Sequence, residues 1–133
     1  MLLKNLRNMT PENIENLKEN EVFVFGSNQG GFHLGGAANL AMNKFGAIFG
    51  QAEGLQGQSY AIPTVDYNFN KLSIKQIEEH VDKFLKFAEE TPDKIFYVTK
   101  IGCGIAGYKT DEIRELFINK KIPENVELPR EFT

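Results

Sequence analysis

The 12 glycines of this chain form two clusters, and each cluster directly follows a segment with the composition of a buried β-strand. Nine of them lie between Gly26 and Gly57, and the other three are Gly102, Gly104 and Gly107. Glycine reaches backbone conformations with positive φ and lets the backbone approach a ligand closely, at a cost in conformational entropy. Because the rest of the chain has no glycine, the sequence predicts two specialised loops, with ordinary tight turns as the alternative.

Three apolar runs have the pattern of strands that are covered on both faces. They are residues 22–25, 59–62 and 95–101, and the first and third lead directly into the two glycine clusters. Continuous apolar runs of this kind are typical of strands in parallel sheets. We therefore predict that the three runs are parallel neighbours or near neighbours in one sheet, with the second stopped by Pro63 and a short final strand at residues 125–128.

Apolar residues at spacings of three and four predict helices between these strands. Ser73 begins a capping box, and Thr110 is the expected N-cap of the last helix. Thr10, which precedes a proline, predicts a short leading helix with Ile14 and Leu17 facing inward. The three main helices are predicted over residues 37–45, 73–90 and 111–119, and the segment 46–58 stays open between loop and a short strand at 47–49.

The order β-α-β-α-β-α-β after the leading helix predicts an α/β fold with a mostly parallel sheet flanked by helices. A length of 133 residues suits one domain, so the chain is interpreted as a single domain over residues 1–133. Ligands of such sheets bind at the carboxyl ends of the strands. Both glycine clusters begin at such ends, and the sequence therefore predicts a binding cleft built from the two loops.

Charge and cysteine content narrow the expected partners. The net charge is −3, from 15 basic and 18 acidic residues that are interspersed, and this disfavours a nucleic-acid polymer, whose phosphates need a basic face. No apolar run reaches the ~20 residues of a membrane span, so no membrane partner is expected. A single cysteine and two distant histidines predict neither a disulfide nor a metal site, and no cofactor is expected. The absence of an apolar leader predicts a cytoplasmic protein.

Glycine-rich turns ahead of a helix present backbone N–H groups that bind anions. The first cluster offers Gly35 and Gly36 ahead of one helix, and the second offers Gly102-x-Gly104-x-x-Gly107 ahead of another. The second motif matches the dinucleotide fingerprint formally, but it comes late in the chain instead of in the first βαβ unit, and a P-loop motif is absent. The sequence therefore predicts two facing loops that clamp a diphosphate.

Four segments of the sequence stand out together: residues 25–28 (FGSN), 35–38 (GGAA), 54–64 (GLQGQSYAIPT) and 101–108 (IGCGIAGY). They resemble a family of small uncharacterised bacterial and phage proteins, over nearly the whole chain. More distantly, the pattern is similar to the macro domain, the ADP-ribose-binding α/β module. In that module an asparagine-containing loop precedes a Gly-Gly helix start, and a late I-G-x-G loop wraps the diphosphate and the distal ribose.

The resemblance implies a three-layer α/β/α arrangement and a cleft that binds ADP-ribose or a related nucleotide diphosphate. Ala106 stands where some hydrolytic macro domains carry an aspartate. The early strands of macro domains, with their adenine-binding aspartate, have no counterpart before Val22. The predicted ligand-binding residues are Ser27, Asn28, Gly35, Gly36, Ala37, Gly102, Cys103, Gly104, Ile105, Ala106, Gly107 and Tyr108.

Two other functions stay open at this point. One is an ADP-ribosyl or nucleotide-sugar hydrolase with Asn28, His33 and Asp66 as candidate catalytic residues, and the other is a protein-interaction module. The structural alternatives are a solvent-exposed loop position for His33 and turn formation for Asp66. Cys103 would need a base and an oxyanion site to act as a nucleophile, and the alternative is a small buried residue.

Overall fold

A five-stranded mixed sheet and three helices make up residues 9–133, the part of the chain that the structure, a computed structural model, describes. The strands are β1 (Glu21–Asn28), β2 (Gly54–Gln56), β3 (Ser59–Val65), β4 (Ile95–Val98) and β5 (Val126–Glu127). The helices are α1 (Gly36–Lys44), α2 (Ile74–Glu89) and α3 (Thr110–Ile118), followed at the end by a 3-10 turn, Arg130–Phe132.

The strands lie in the order β2-β3-β1-β4-β5. Strand β1 is parallel to both β3 and β4, and β5 is parallel to β4. The predicted parallel core of three neighbouring strands and the predicted final strand are therefore confirmed. The sheet is mixed because β2 runs antiparallel to β3.

The central strand β1 sends alternate side chains to the two faces of the sheet. Val22 and Val24 belong to a large apolar cluster with residues of α2 and α3, whereas Phe23 and Phe25 pack in a second cluster with residues of α1. A strand segment covered on both faces has no polar face, and this is why residues 22–25 are continuously apolar. The apolar stripes of α2 and α3 are buried as predicted, and their buried residues are Ile77, Val81, Phe84, Leu85 and Ala88 on α2 and Ile113, Leu116 and Phe117 on α3.

Strand β2 occupies part of the segment that the sequence leaves open, and it was not predicted. It is joined to β3 by a two-residue turn at Gly57, whose φ of +61° favours glycine. Gly46 approaches this turn so closely that a Cβ added at Gly57 would lie 2.7 Å from the Gly46 Cα. The two glycines therefore let one backbone pass directly over another.

The limits of β3 and β4 differ from the prediction. Strand β3 continues through Pro63 to Val65, because β2 pairs only with the Ser59–Ala61 part of β3 and no neighbour on that side needs a proline N–H. Strand β4 ends at Val98, three residues earlier than expected. The residues beyond it already belong to the second glycine cluster's loop.

The predicted leading helix is not formed, which is a correction to the sequence analysis. The Thr10 N–H donates to the Leu128 carbonyl at 2.9 Å, and its hydroxyl donates to the Glu127 carbonyl at 2.8 Å. The hydroxyl thus serves a distant strand and does not cap a helix. Ile14 and Leu17 still pack inward, against the cluster beside α1.

Of the two predicted N-caps whose helices form, one caps its helix. Ser73 and Gln76 form the predicted capping box at the start of α2, with both reciprocal hydrogen bonds present. At α3 the N-cap position is Lys109, and Thr110 is the first helical residue instead of the cap. Within residues 9–133, no helix combines the length and the apolar character that crossing a membrane requires.

Candidate functional site

A cavity of about 330 Å³ opens at the carboxyl ends of β1, β3 and β4. Three connections surround it. They are the first loop (residues 29–35, after β1), the aspartate turn (residues 66–70, after β3) and the second loop (residues 99–109, after β4). Because parallel strands end at the same edge of a sheet, loops that are far apart in sequence meet here.

The structure brings most of the predicted binding residues to this cavity. The predicted residues that line it are Ser27, Asn28, Gly35, Gly36, Ala37, Gly102, Gly104, Ile105 and Ala106. The predicted residues that do not line it are Cys103, Gly107 and Tyr108. The convergence of the two glycine loops on one concavity is therefore confirmed, although whether these residues bind a ligand stays a prediction.

Three successive backbone donors of the second loop have no partner within the described part of the chain. No acceptor among residues 9–133 takes the N–H of Gly104, Ile105 or Ala106. The loop closes on itself through the Gly107 N–H, which donates to the Gly104 carbonyl at 3.0 Å, and through the Tyr108 N–H. Successive free N–H groups in a turn form a concave anion site.

A second set of free donors comes from the first turn of α1. Its N-cap is Gly35, which has no side chain to cap the helix, and Gly36, Ala37 and Ala38 all line the cavity. The first N–H groups of a helix have no partner within the helix and carry a partial positive charge. The second loop also precedes a helix, α3, but neither Lys109 nor Thr110 lines the cavity. The helix that faces the site is therefore α1.

Asn28 shapes the first loop with its whole amide group. The Asn28 Oδ1 accepts hydrogen bonds from the N–H groups of Gly30 and Phe32, each at 3.0 Å, and its Nδ2 donates to the Phe32 carbonyl at 2.8 Å. The residue is 4 % exposed. An asparagine whose amide is engaged through both its oxygen and its nitrogen fixes the path of the loop around the cavity.

His33 is fully buried and lies outside the cavity lining. Its Nε2 is 3.1 Å from the Gln51 carbonyl oxygen and 3.2 Å from the Gln56 Oε1, and both of these atoms are acceptors, so Nε2 carries the proton. The ring stands edge-on to Phe25 at 5.1 Å. The expectation of a solvent-exposed histidine is wrong, and a buried donor with fixed partners supports the first loop from inside the fold instead of reaching a substrate.

We expect His33→Ala to lower the free energy of unfolding by about 2–4 kcal/mol, because it opens a cavity in the core and removes a donor from two buried acceptors. His80 is the matched control, since it is a partly exposed histidine whose Nδ1 meets the Glu53 Oε2 at 2.6 Å. We expect His80→Ala to cost less than about 1 kcal/mol. Urea denaturation of both variants measures the difference, and equal losses would contradict the structural role of His33.

Asp66 builds the turn after β3. Its Oδ1 accepts from the N–H groups of Asn68 and Asn70 at 2.8 and 3.0 Å, and this explains why it bends the chain instead of lining the cavity. The turn places Phe69 at the cavity with φ at +64°, the left-handed conformation that costs a non-glycine residue roughly 1 kcal/mol or more. The turn-forming alternative for Asp66 is therefore the one that the hydrogen bonds support.

Aromatic side chains also line the cavity. From the sequence, Phe32 is a candidate for packing against a sugar or base, with covering the core beneath its loop as the alternative, whereas Phe69 is not singled out. Phe32 and Phe69 both line the cavity, with ring centroids 6.5 Å apart, and the Phe49 ring centroid lies 5.8 Å from that of Phe32. Phe69 is 40 % exposed and Phe49 is 57 % exposed. The one sequence signal for Phe69 is its position, four residues beyond the end of β3.

Cys103 and Tyr108 belong to the core side of the second loop. Both pack against the large apolar cluster, and the Tyr108 hydroxyl donates to the Leu72 carbonyl at 2.7 Å. Burial raises the pKa of the Cys103 thiol, with nearby acidic groups adding to the effect and Lys100 opposing it. A thiol with a raised pKa is scarcely ionised at neutral pH, and this disfavours a role as nucleophile.

Comparison with family models, curated proteins and solved structures finds no significant match to this chain. The resemblance to macro domains therefore rests on the sequence motifs, and the argument for a function rests on the geometry of the cavity.

Proposed function

We propose that the cavity binds ADP-ribose or a related nucleotide diphosphate, and that backbone N–H groups hold the diphosphate. The observation that carries this proposal is the meeting of two sets of free donors at one cavity. One set is the N–H groups of Gly104, Ile105 and Ala106, and the other is the first turn of α1. Such donors bind anions without the cost of fixing long charged side chains.

The charges around the cavity support backbone recognition over recognition by side chains. Lys100 is the basic residue in the cavity lining within the described part of the chain, and its Nζ lies 3.7 Å from a Glu131 carboxylate oxygen. Half of its side chain is exposed. A single screened cation that already has a partner adds only a secondary attraction for a diphosphate.

The macro-domain-like three-layer arrangement belongs to the same proposal. It is supported by the packing of α1 against one cluster of β1 residues and of α2 and α3 against the other. Cytoplasmic location also stays a proposal from the sequence. We do not extend the proposal to hydrolysis, because Asn28 and Asp66 are engaged in shaping their own loops and His33 is buried away from the cavity.

Isothermal titration of ADP-ribose into the protein tests the proposed function, with adenosine as the probe that lacks the phosphates. Saturable binding of ADP-ribose, and at least about tenfold weaker binding of adenosine, is the expected result, since the diphosphate contacts are the main attraction. Absence of saturable ADP-ribose binding, or equal binding of adenosine, would refute it.

We expect Lys100→Ala to weaken ADP-ribose binding only about twofold, because an exposed cation with an acidic partner contributes well under 1 kcal/mol. Lys109→Ala is the matched control, since Lys109 follows in the same loop but does not line the cavity, and its removal should change nothing. Calorimetric titration of both variants at moderate salt gives the comparison. A complete loss of binding in Lys100→Ala would show that side-chain charge, and not the backbone, holds the diphosphate.

A further inference from the structure

The two ends of the cavity differ in chemistry, and the strand order determines where each end lies. Strand β1 lies between β3 and β4, so the turn after β3 and the loop after β4 stand on opposite sides of the first loop. The side of β4 carries the free N–H groups of the second loop together with Lys100. The side of β3 carries Phe69, with Phe32 between the two ends.

The Phe69 ring at the β3 end is partly exposed and lines the cavity. Phe69 contacts Phe32 only in a tilted arrangement, with 46° between the ring planes, and 40 % of its surface is exposed. An exposed aromatic ring in a cavity lining offers a flat apolar surface on which another planar ring can stack.

The backbone at Phe69 indicates that the position of this ring is imposed by its turn. Phe69 is the only non-glycine residue in the described part of the chain with a positive φ. The Asp66 carboxylate and the hydrogen bond from the Phe69 N–H to the Asp66 carbonyl, at 3.0 Å, hold the turn in this conformation. A glycine or asparagine would adopt this conformation with less strain, and strained residues of this kind are concentrated at functional sites.

We propose that Phe69 is the stacking platform for the heteroaromatic base of the nucleotide, and that the aspartate turn is its support. This inference rests on the proposed function, because the diphosphate at the second loop determines which end of the ligand reaches Phe69. A nucleoside diphosphate carries its anionic group and its planar base on opposite sides of a ribose, and it therefore matches a cavity with donors at one end and aromatic rings at the other. Phe69 contacts the ligand directly, and Asp66 acts as a positioning residue.

The test uses Phe69→Asn, because asparagine tolerates the left-handed conformation and removes only the ring. Phe49→Asn is the matched control, since Phe49 is an exposed ring of the same patch that does not line the cavity. We expect Phe69→Asn to weaken ADP-ribose binding about tenfold, in the range that base stacking on an aromatic side chain supplies. Phe49→Asn is expected to leave the affinity unchanged, and thermal unfolding confirms that both variants are folded.

A second measurement reports the stacking itself. In proton NMR spectra, the H2 and H8 signals of the ADP-ribose adenine should shift upfield when wild-type protein or Phe49→Asn binds, and the shift should be lost in Phe69→Asn. Unchanged affinity and unchanged upfield shifts in Phe69→Asn would overturn the inference while leaving the proposed function intact. Failure of the wild-type protein to bind ADP-ribose at all would instead overturn the proposed function.

Discussion

Gly104→Val should weaken ADP-ribose binding by about 100-fold while leaving the free energy of unfolding close to the wild-type value. Gly104 lines the cavity, its φ is not positive, and a Cβ added there meets no atom within 4 Å. The fold therefore accepts the side chain, and the valine methyl groups occupy space at the mouth of the anion site. A 100-fold loss of affinity corresponds to about 2.8 kcal/mol.

Gly107→Asn is the control for this variant. Gly107 lies in the same loop with a φ of +77° but outside the cavity lining, and asparagine tolerates that conformation. Calorimetric titration of ADP-ribose should give near wild-type affinity for Gly107→Asn. Retained affinity in Gly104→Val, together with lost affinity in Gly107→Asn, would place the anion site elsewhere in the loop.

The second large effect concerns stability, and it is expected for Gly57→Ala. The new Cβ would lie 2.7 Å from the Gly46 Cα and 2.8 Å from the Gly46 carbonyl oxygen, and the backbone there has a φ of +61°. Overlap with backbone atoms is not relieved by a side-chain rotation, so the β2–β3 turn and the Gly46 segment must separate. We expect a loss of about 3 kcal/mol or more in the free energy of unfolding.

Gly50→Ala separates the two causes of this loss. Gly50 also has a positive φ, +98°, but a Cβ added there meets nothing within 4 Å. It therefore reports the conformational cost alone, which we expect to be about 1 kcal/mol. Urea denaturation of both variants measures the contrast, and a smaller loss in Gly57→Ala than in Gly50→Ala would show that the close approach of Gly46 and Gly57 does not matter for the fold.

The parallel core and its helices could be predicted because their signals are local. Residues 22–25 are apolar without interruption since β1 is covered on both faces, and the Ser73 capping box marks the start of α2. Strand β2 could not be predicted in this way, because its sequence Gly54-Leu55-Gln56 has no β-branched or aromatic residue. Its pairing depends on the turn at Gly57 and on the approach of Gly46, which are tertiary features.

The candidate site, too, could be predicted only in part. The meeting of the two glycine loops follows from the rule that parallel strands end at one edge of the sheet, and the sequence was sufficient to predict it. The direction of individual side chains was not predictable. His33 points into the core toward Gln56, while Phe69 lines the cavity, although both follow strand ends in polar, turn-rich segments. Contacts with Gln51 and Gln56, which are distant in sequence, fix the direction of His33, whereas the turn built by Asp66 sets the position of Phe69.

The strand order also bears on how the chain behaves when its fold is perturbed. In the part of the chain that the structure describes, the sheet ends in two short strands, β2 with three residues and β5 with two, and the long apolar strands β1 and β3 lie inside. Exposed strand edges are templates for pairing with other chains, and short edges offer few backbone groups for this purpose. The apolar strands β1 and β3, which have the greatest tendency to aggregate, are thus shielded only while the sheet is intact. Resistance to aggregation therefore depends on the cooperative stability of the whole domain.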